Sequence, residues 1–181
     1  VPLATEPRAA EWTRQAIALA AGLGAKIVLQ AYFGPGDLRQ GDVRNTAAID
    51  AVVARLRELA PVAEKAGIVI GIENTLTAQE NLAILDRIGS RAVKAYYDVG
   101  NAQYFGYDQA ADIRLLKDRM CQIHFKDGGY LGEGNVKLAP VAAALQDIGY
   151  AGWLVLETNN PSGNPEADFR RNLATLKQAF L

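Results

Sequence analysis

Two hydrophobic patterns take turns along this chain. Short continuous apolar runs, rich in Ile, Val and Tyr, have the signature of strands buried on both faces, and stretches with apolar residues three and four apart have that of amphipathic helices. The chain opens with the second kind: Glu6 to Leu23 predicts a helix with Trp12, Ala16, Ile17, Ala20 and Leu23 inward and Gly24 to stop it. Lys26 to Phe33 predicts the first strand, and Gly34 to Gly41 a glycine-rich loop too long for a minimal turn. Asn45 caps a long helix to about Ala66, with Ile49, Val52, Val53, Leu56 and Leu59 inward and Pro61 expected to kink its last turns. Ile68-Val-Ile-Gly-Ile-Glu-Asn-Thr75 is the next strand, and Thr77-Ala-Gln-Glu80 has capping-box spacing ahead of a helix that Gly89 ends. Strands over Ala95–Asn101, Cys121–Asp127 and Trp153–Asn159 follow. Helices are expected between them over Tyr107–Met120 and from Pro140, and after them from Asn164-Pro165, the last with Phe169, Leu173, Leu176 and Phe180 inward.

Strands and helices alternating this regularly imply an α/β fold with a parallel sheet. The pattern gives five strand–helix units after one unpaired helix, read as one domain over 1–181. A closed (β/α) barrel has eight strands, so the expectation is a barrel lacking its N-terminal units.

The polar residues that end these strands carry the chemistry. Glu73, Asp98 and Glu157 each close an apolar run, and His124, the sole histidine, sits in the strand between the last two. In parallel α/β folds the carboxyl ends of the strands share one rim, so these four should converge. Taken singly, each acid is explained as well by a helix cap or a rim ion pair, and a strand histidine by core packing. Together, three carboxylates and an imidazole suit a divalent ion, Mn²⁺, Mg²⁺, Co²⁺ or Zn²⁺, with Glu73 and Glu157 facing each other as an acid–base pair. Lys126 lies two residues beyond His124 and should point the same way, towards an anionic group or a neighbouring acid. Asn74 and Asp127 adjoin the ligand positions; the backbone of Gly128 to Gly134 could cradle a phosphate, and Arg39 and Arg44 could contact an anion.

Composition narrows the field. A net charge of -1 with scattered Lys and Arg gives no basic face for nucleic acid or an anionic membrane. A single cysteine, Cys121, excludes an internal disulfide and a cysteine-clustered zinc site. No apolar run is long enough to span a bilayer, and a cytoplasmic location is expected.

The ordered set Ile72-Glu-Asn-Thr75, Asp98-Val-Gly-Asn101, His124-Phe-Lys-Asp127, Leu131-Gly-Glu-Gly134 and the Glu157 strand resembles the xylose isomerase-like TIM-barrel superfamily, in its branch of sugar and sugar-phosphate isomerases and epimerases. The resemblance covers essentially the whole chain and corresponds to the fourth to eighth strands of the family barrel. It implies that Glu73, Asp98, His124 and Glu157 bind the metal and that Glu73 and Glu157 also act as the two bases. One removes a proton beside the substrate carbonyl and the other returns one from the opposite face, through a metal-stabilised enediolate. Asn101 stands where ketose 3-epimerases commonly have histidine and phosphate-sugar relatives asparagine. Asn74, Asn101, Lys126 and Asp127 are the implied substrate contacts, the partner a sugar or sugar phosphate, and the assembly a homodimer. Three rivals remain: a keto-polyol dehydratase, a non-catalytic truncated barrel, and an apurinic-site endonuclease. A single histidine and the lack of a basic surface argue against the last.

Overall fold

The computed structural model describes residues 3–180; of the domain expected over 1–181, residues 1, 2 and 181 lie outside the described residues. The order of elements is α1 (Ala9–Gly22), β1 (Ile27–Ala31), a two-stranded hairpin of β2 (Arg39–Gln40) and β3 (Val43–Arg44), α2 (Thr46–Ala66), β4 (Val69–Glu73), α3 (Ala78–Ile88), β5 (Val93–Asp98), α4 (Val99–Tyr104), α5 (Gln109–Leu116), β6 (Met120–Phe125), α6 (Leu138–Asp147), β7 (Leu154–Leu156) and α7 (Pro165–Phe180). Five strands form one sheet in the order β1-β4-β5-β6-β7, and the ladders β1/β4, β4/β5 and β6/β7 are parallel. None of the described helices is long and apolar enough to cross a membrane.

The chain divides into two compact units, one running through Tyr96 and including Arg119–Cys121, the other taking Tyr97–Asp118 and Gln122 onward. In the first, α1 packs on α2 and β1, and α2 on α3 and β4. Ile49, Val52, Val53, Leu56 and Leu59 of α2 are all buried, as their spacing predicts, and each such side chain contributes about 1.5–3 kcal/mol by leaving water. Asn45 caps α2 by accepting from the Ala48 N–H, and the helix runs through Pro61 to Gly67, whose φ of 66° supplies the left-handed stop. The capping box at α3 is complete: Thr77 accepts from the Glu80 N–H, and Glu80 accepts from the Thr77 N–H. The expected glycine-rich loop contains the β2/β3 hairpin, turned at Gly41-Asp42 with Gly41 at φ 62°. Arg39 there donates to the Asp42 carbonyl at 2.8 Å and Arg44 pairs with Glu80 at 3.4 Å. The α1 stripe is narrower than expected: Ile17 and Ala20 are buried, but Leu23, past the helix end, is 76% exposed.

In the second unit α4 packs on α5, α5 on α6, α6 on α7 and α7 on β7. Three departures from the sequence pattern occur here. Val99-Gly-Asn101, read as strand, is the first turn of α4, and the helix expected over Tyr107–Met120 stops at Leu116 because Met120 already belongs to β6. The inward face of α7 is also displaced by one residue. Leu176 is buried, but Phe169 and Leu173 are exposed, and Asp168 and Asn172 point inward instead. Asp168 accepts from the Tyr130 and Ser162 hydroxyls, both at 2.7 Å, and Asn172 accepts from the Leu131 N–H at 2.9 Å. These polar partners hold the loop before α6 and the turn before α7 against the helix.

Candidate functional site

Asp98 ends β5 and at the same time caps α4. Its Oδ1 accepts from the Asn101 N–H at 2.8 Å, which fixes the carboxylate plane and leaves Oδ2 facing the ends of the following strands. The helix-cap and ligand readings of this residue are therefore compatible, one on each oxygen. His124, in β6, brings Nδ1 to 3.8 Å from Asp98 Oδ2 and 3.7 Å from Glu157 Oε2. Glu157 follows β7, positioned by its N–H bond to the Phe125 carbonyl at 3.0 Å. Asp98, His124 and Glu157 each offer a ligand atom within 4.8 Å of the others.

The separations of the imidazole from the two carboxylates fit a metal ion. Oxygen and nitrogen ligands sit about 2.0–2.2 Å from Zn²⁺ or Mg²⁺, so two atoms on one ion lie at most about 4.4 Å apart, and separations of 3.7–3.8 Å fall inside that limit. Two carboxylate oxygens and an imidazole form a hard, mixed donor set of the type that takes Mn²⁺, Mg²⁺, Co²⁺ or Zn²⁺. Glu73, the remaining acid of the expected four, is buried at the carboxyl end of β4 in the first unit.

Lys126 joins this cluster, and strand alternation places it as expected on the same face as His124. Its Nζ lies 2.8 Å from Asp98 Oδ2 and 2.7 Å from Glu157 Oε2, the same two oxygens that lie 3.8 and 3.7 Å from the imidazole. Burial alone would lower the Lys126 pKa, but the two carboxylates more than offset it and hold the ammonium above its ordinary value. For Glu157 burial pushes upward, and the Lys126 hydrogen bond and charge, with help from His124, prevail to hold the carboxyl below its usual range. Asp98 is 1% exposed and Glu157 48%, so solvent reaches the pair from the Glu157 side. Gly100 makes room for the lysine stem: a Cβ there would lie 2.3 Å from Lys126 Cγ and 2.9 Å from its carbonyl oxygen.

Beside the cluster lies a cavity of about 330 Å³ lined by Asn101, Gln103, Tyr104, Lys126, Asn135 and Val136, among others. The expected substrate contacts divide around it. Asn101 and Lys126 line it, whereas Asn74 is spent in the first unit on a reciprocal amide pair with Asn81, 2.8 and 3.2 Å, and on the Leu76 N–H at 2.9 Å. Asp127 borders the cavity but turns its carboxylate into its own loop. It accepts from the N–H groups of Gly128 (2.8 Å), Asn135 (2.9 Å), Gly132 and Gly134 (both 3.2 Å) and Val136 (3.4 Å). The phosphate cradle expected of Gly128 to Gly134 is thereby corrected: a carboxylate of the chain itself already fills the concavity these amides form. The sequence signal was Asp127 immediately ahead of a loop with four glycines, Gly128, Gly129, Gly132 and Gly134.

The fold belongs to a known class. The chain is a member of the xylose isomerase-like TIM barrel family, which it matches over residues 2–179. Among curated relatives it is similar to a D-psicose 3-epimerase of Enterocloster bolteae, 33% identical over 115 residues that make up 58% of this chain and 38% of the relative. An inosose dehydratase of Geobacillus kaustophilus is 26% identical over 105 residues, 45% of this chain and 34% of that protein. The chain thus spans well under half the length of either. Among solved structures, an L-ribulose 3-epimerase superposes with a TM-score of 0.87 at 22% identity, over 99% of this chain and 71% of that one, which shows the shared fold.

Proposed function

We propose that this chain carries the metal-binding and proton-transfer site of a sugar or sugar-phosphate isomerase or epimerase, and that its five strands are part of the eight of a closed barrel. The observation that carries the reading is the convergence of Asp98, His124 and Glu157 beside a cavity lined in part by Asn101, Gln103 and Lys126. Glu73 is the fourth ligand. Its place at the carboxyl end of β4, where the sequence pattern puts a ligand, supports that assignment. Similarity to a D-psicose 3-epimerase supports the reaction type.

Bound there, a divalent ion would supply Lewis-acid polarisation of a substrate carbonyl. The protein's own groups do the rest. Asn101 and Gln103 line the cavity where substrate hydroxyls would lie, the Gln103 amide oxygen held there by a 2.8 Å hydrogen bond from Gln109 Nε2. Glu73 and Glu157 exchange protons with the carbon next to the carbonyl, one removing a proton and the other returning one from the opposite face. Capping by the Asn101 N–H keeps Asp98 from rotating as charge develops.

The test is titration calorimetry with Mn²⁺ on this chain and on Glu157→Gln, with deuterium wash-in from D₂O into ketoses and ketose phosphates. Saturable binding weakened in the variant, with deuterium appearing beside the carbonyl, is the expected result. Absence of Mn²⁺ binding would return the cluster to caps and ion pairs. A second reading, elimination of water after the same proton abstraction, is favoured by similarity to an inosose dehydratase. A product lighter by one water distinguishes it.

A further inference from the structure

The Lys126 ammonium and a metal ion would draw on the same two oxygens. Asp98 Oδ2 and Glu157 Oε2 lie 3.8 and 3.7 Å from His124 Nδ1, and they are also the atoms Lys126 contacts at 2.8 and 2.7 Å. An ion held about 2.1 Å from those oxygens would stand within a few ångströms of the ammonium, and like charges at that distance repel strongly in a partly buried site. Lys126 has a way out. It already lines the 330 Å³ cavity together with Asn101, Gln103 and Asn135, and such a volume holds several waters. Its four-carbon stem is flexible enough to swing between the two positions.

We propose that Lys126 is a resident cation of the metal centre: its ammonium keeps the Asp98 and Glu157 carboxylates together, and metal binding displaces it into the adjoining cavity. The inference rests on the proposed metal centre. It makes Lys126 a positioning residue for the ligands and ties metal loading to the delivery of a positive charge into the cavity, where an anionic or strongly polar part of a substrate would meet it. Gly100 is part of the device, because a side chain there would push the lysine stem out of the first position.

The experiment uses the unmodified chain. Brief acylation with acetic anhydride, read by peptide mass spectrometry, measures how available the Lys126 amine is across a Mn²⁺ titration, with the exposed Lys137 and Lys177 as internal references. Lys126 modification should rise severalfold with the same midpoint as calorimetric Mn²⁺ binding while the references stay constant. In parallel, Lys126→Met should bind Mn²⁺ about tenfold more tightly than the parent and melt at a lower temperature before metal is added, because the two carboxylates lose their counter-charge. Saturable Mn²⁺ binding with Lys126 labelling unchanged or reduced, or a Lys126→Met affinity equal to or weaker than the parent's, overturns this inference and leaves the metal centre standing. Failure of both proteins to bind Mn²⁺ removes the metal centre and this inference with it.

Discussion

Replacing Asp127 with alanine tests whether one carboxylate organises the wall of the cavity. Five N–H groups converge on it, two within 2.9 Å and three between 3.2 and 3.4 Å. Hydrogen bonds to a charged acceptor contribute about 1.5–3 kcal/mol each when well formed and shielded. Full additivity is not expected, because Gly128, Gly132 and Asn135 are exposed and water replaces the lost acceptor there. The two short bonds and the less exposed Gly134 and Val136 amides give a net loss of about 2–4 kcal/mol. For a domain of this size each kcal/mol moves the melting temperature by roughly 2–4 °C, so Asp127→Ala should melt on the order of 5–15 °C lower. Amide exchange of Gly132, Gly134 and Asn135 should accelerate well beyond that of β6. Gly134→Ala should reproduce the effect from the other side, since its Cβ would lie 2.0 Å from Asp127 Oδ1. A stability loss under about 0.5 kcal/mol with unchanged loop exchange would refute the account.

Three further outcomes follow from local geometry. Burial raises the Asp112 carboxyl above its usual range; the Tyr97 hydroxyl, donating at 3.0 Å, partly offsets this and nearby Asp108 adds to it. The folded state thus holds that proton to higher pH than the unfolded one, so the group's contribution is favourable at acid pH and is lost as pH rises through the folded pKa. Asp112→Asn should therefore melt higher than the parent at pH 7, the gap closing towards pH 4; a gap independent of pH would contradict the assignment. Thr77→Ala removes half of the α3 capping box and should lower stability by about 1 kcal/mol in urea denaturation, with Thr77→Ser close to the parent. Gly100→Ala places a Cβ 2.3 Å from Lys126 Cγ and 2.9 Å from the Lys126 carbonyl oxygen and should destabilise by about 1–3 kcal/mol by thermal melting, an effect that Gly100→Ala combined with Lys126→Ala relieves only in part, because the carbonyl contact remains.

What could be read from the sequence was whatever depends on burial of apolar runs. The strands ending at Glu73, Asp98 and near Glu157, the stripe of α2 and the capping box at Thr77 follow directly from hydrophobic periodicity and local capping chemistry. Alternation along β6 was enough to put Lys126 and His124 on one face. Features that depend on polar groups satisfying one another were not legible. Val99 reads as a strand residue, yet Asp98 turns the chain into α4 by capping the Asn101 N–H, a local hydrogen bond that outweighs β propensity. Asp127 next to four glycines reads as a substrate contact ahead of a phosphate loop, whereas the carboxylate and the amides consume each other. In α7 the apolar residues Phe169 and Leu173 suggest the wrong inward face, because the partners of Asp168 and Asn172 lie far back in the chain at Tyr130 and Leu131. Leu23 lies one residue past the end of α1, where helical periodicity no longer governs direction.

The polar inner face of α7 bears on how uniquely this helix docks. An oily stripe tolerates sliding, since neighbouring apolar positions are nearly interchangeable and a slip of one turn exchanges one leucine contact for another. Asp168 and Asn172 remove that degeneracy. Only one placement lets a carboxylate meet the Tyr130 and Ser162 hydroxyls while an amide one turn later meets the Leu131 N–H. Any shifted placement strands a buried charge and a buried amide together. Replacing both with leucine would leave room for alternative registers, visible as multiple slowly exchanging NMR resonances for Tyr130 and Leu131 even where the melting temperature rises.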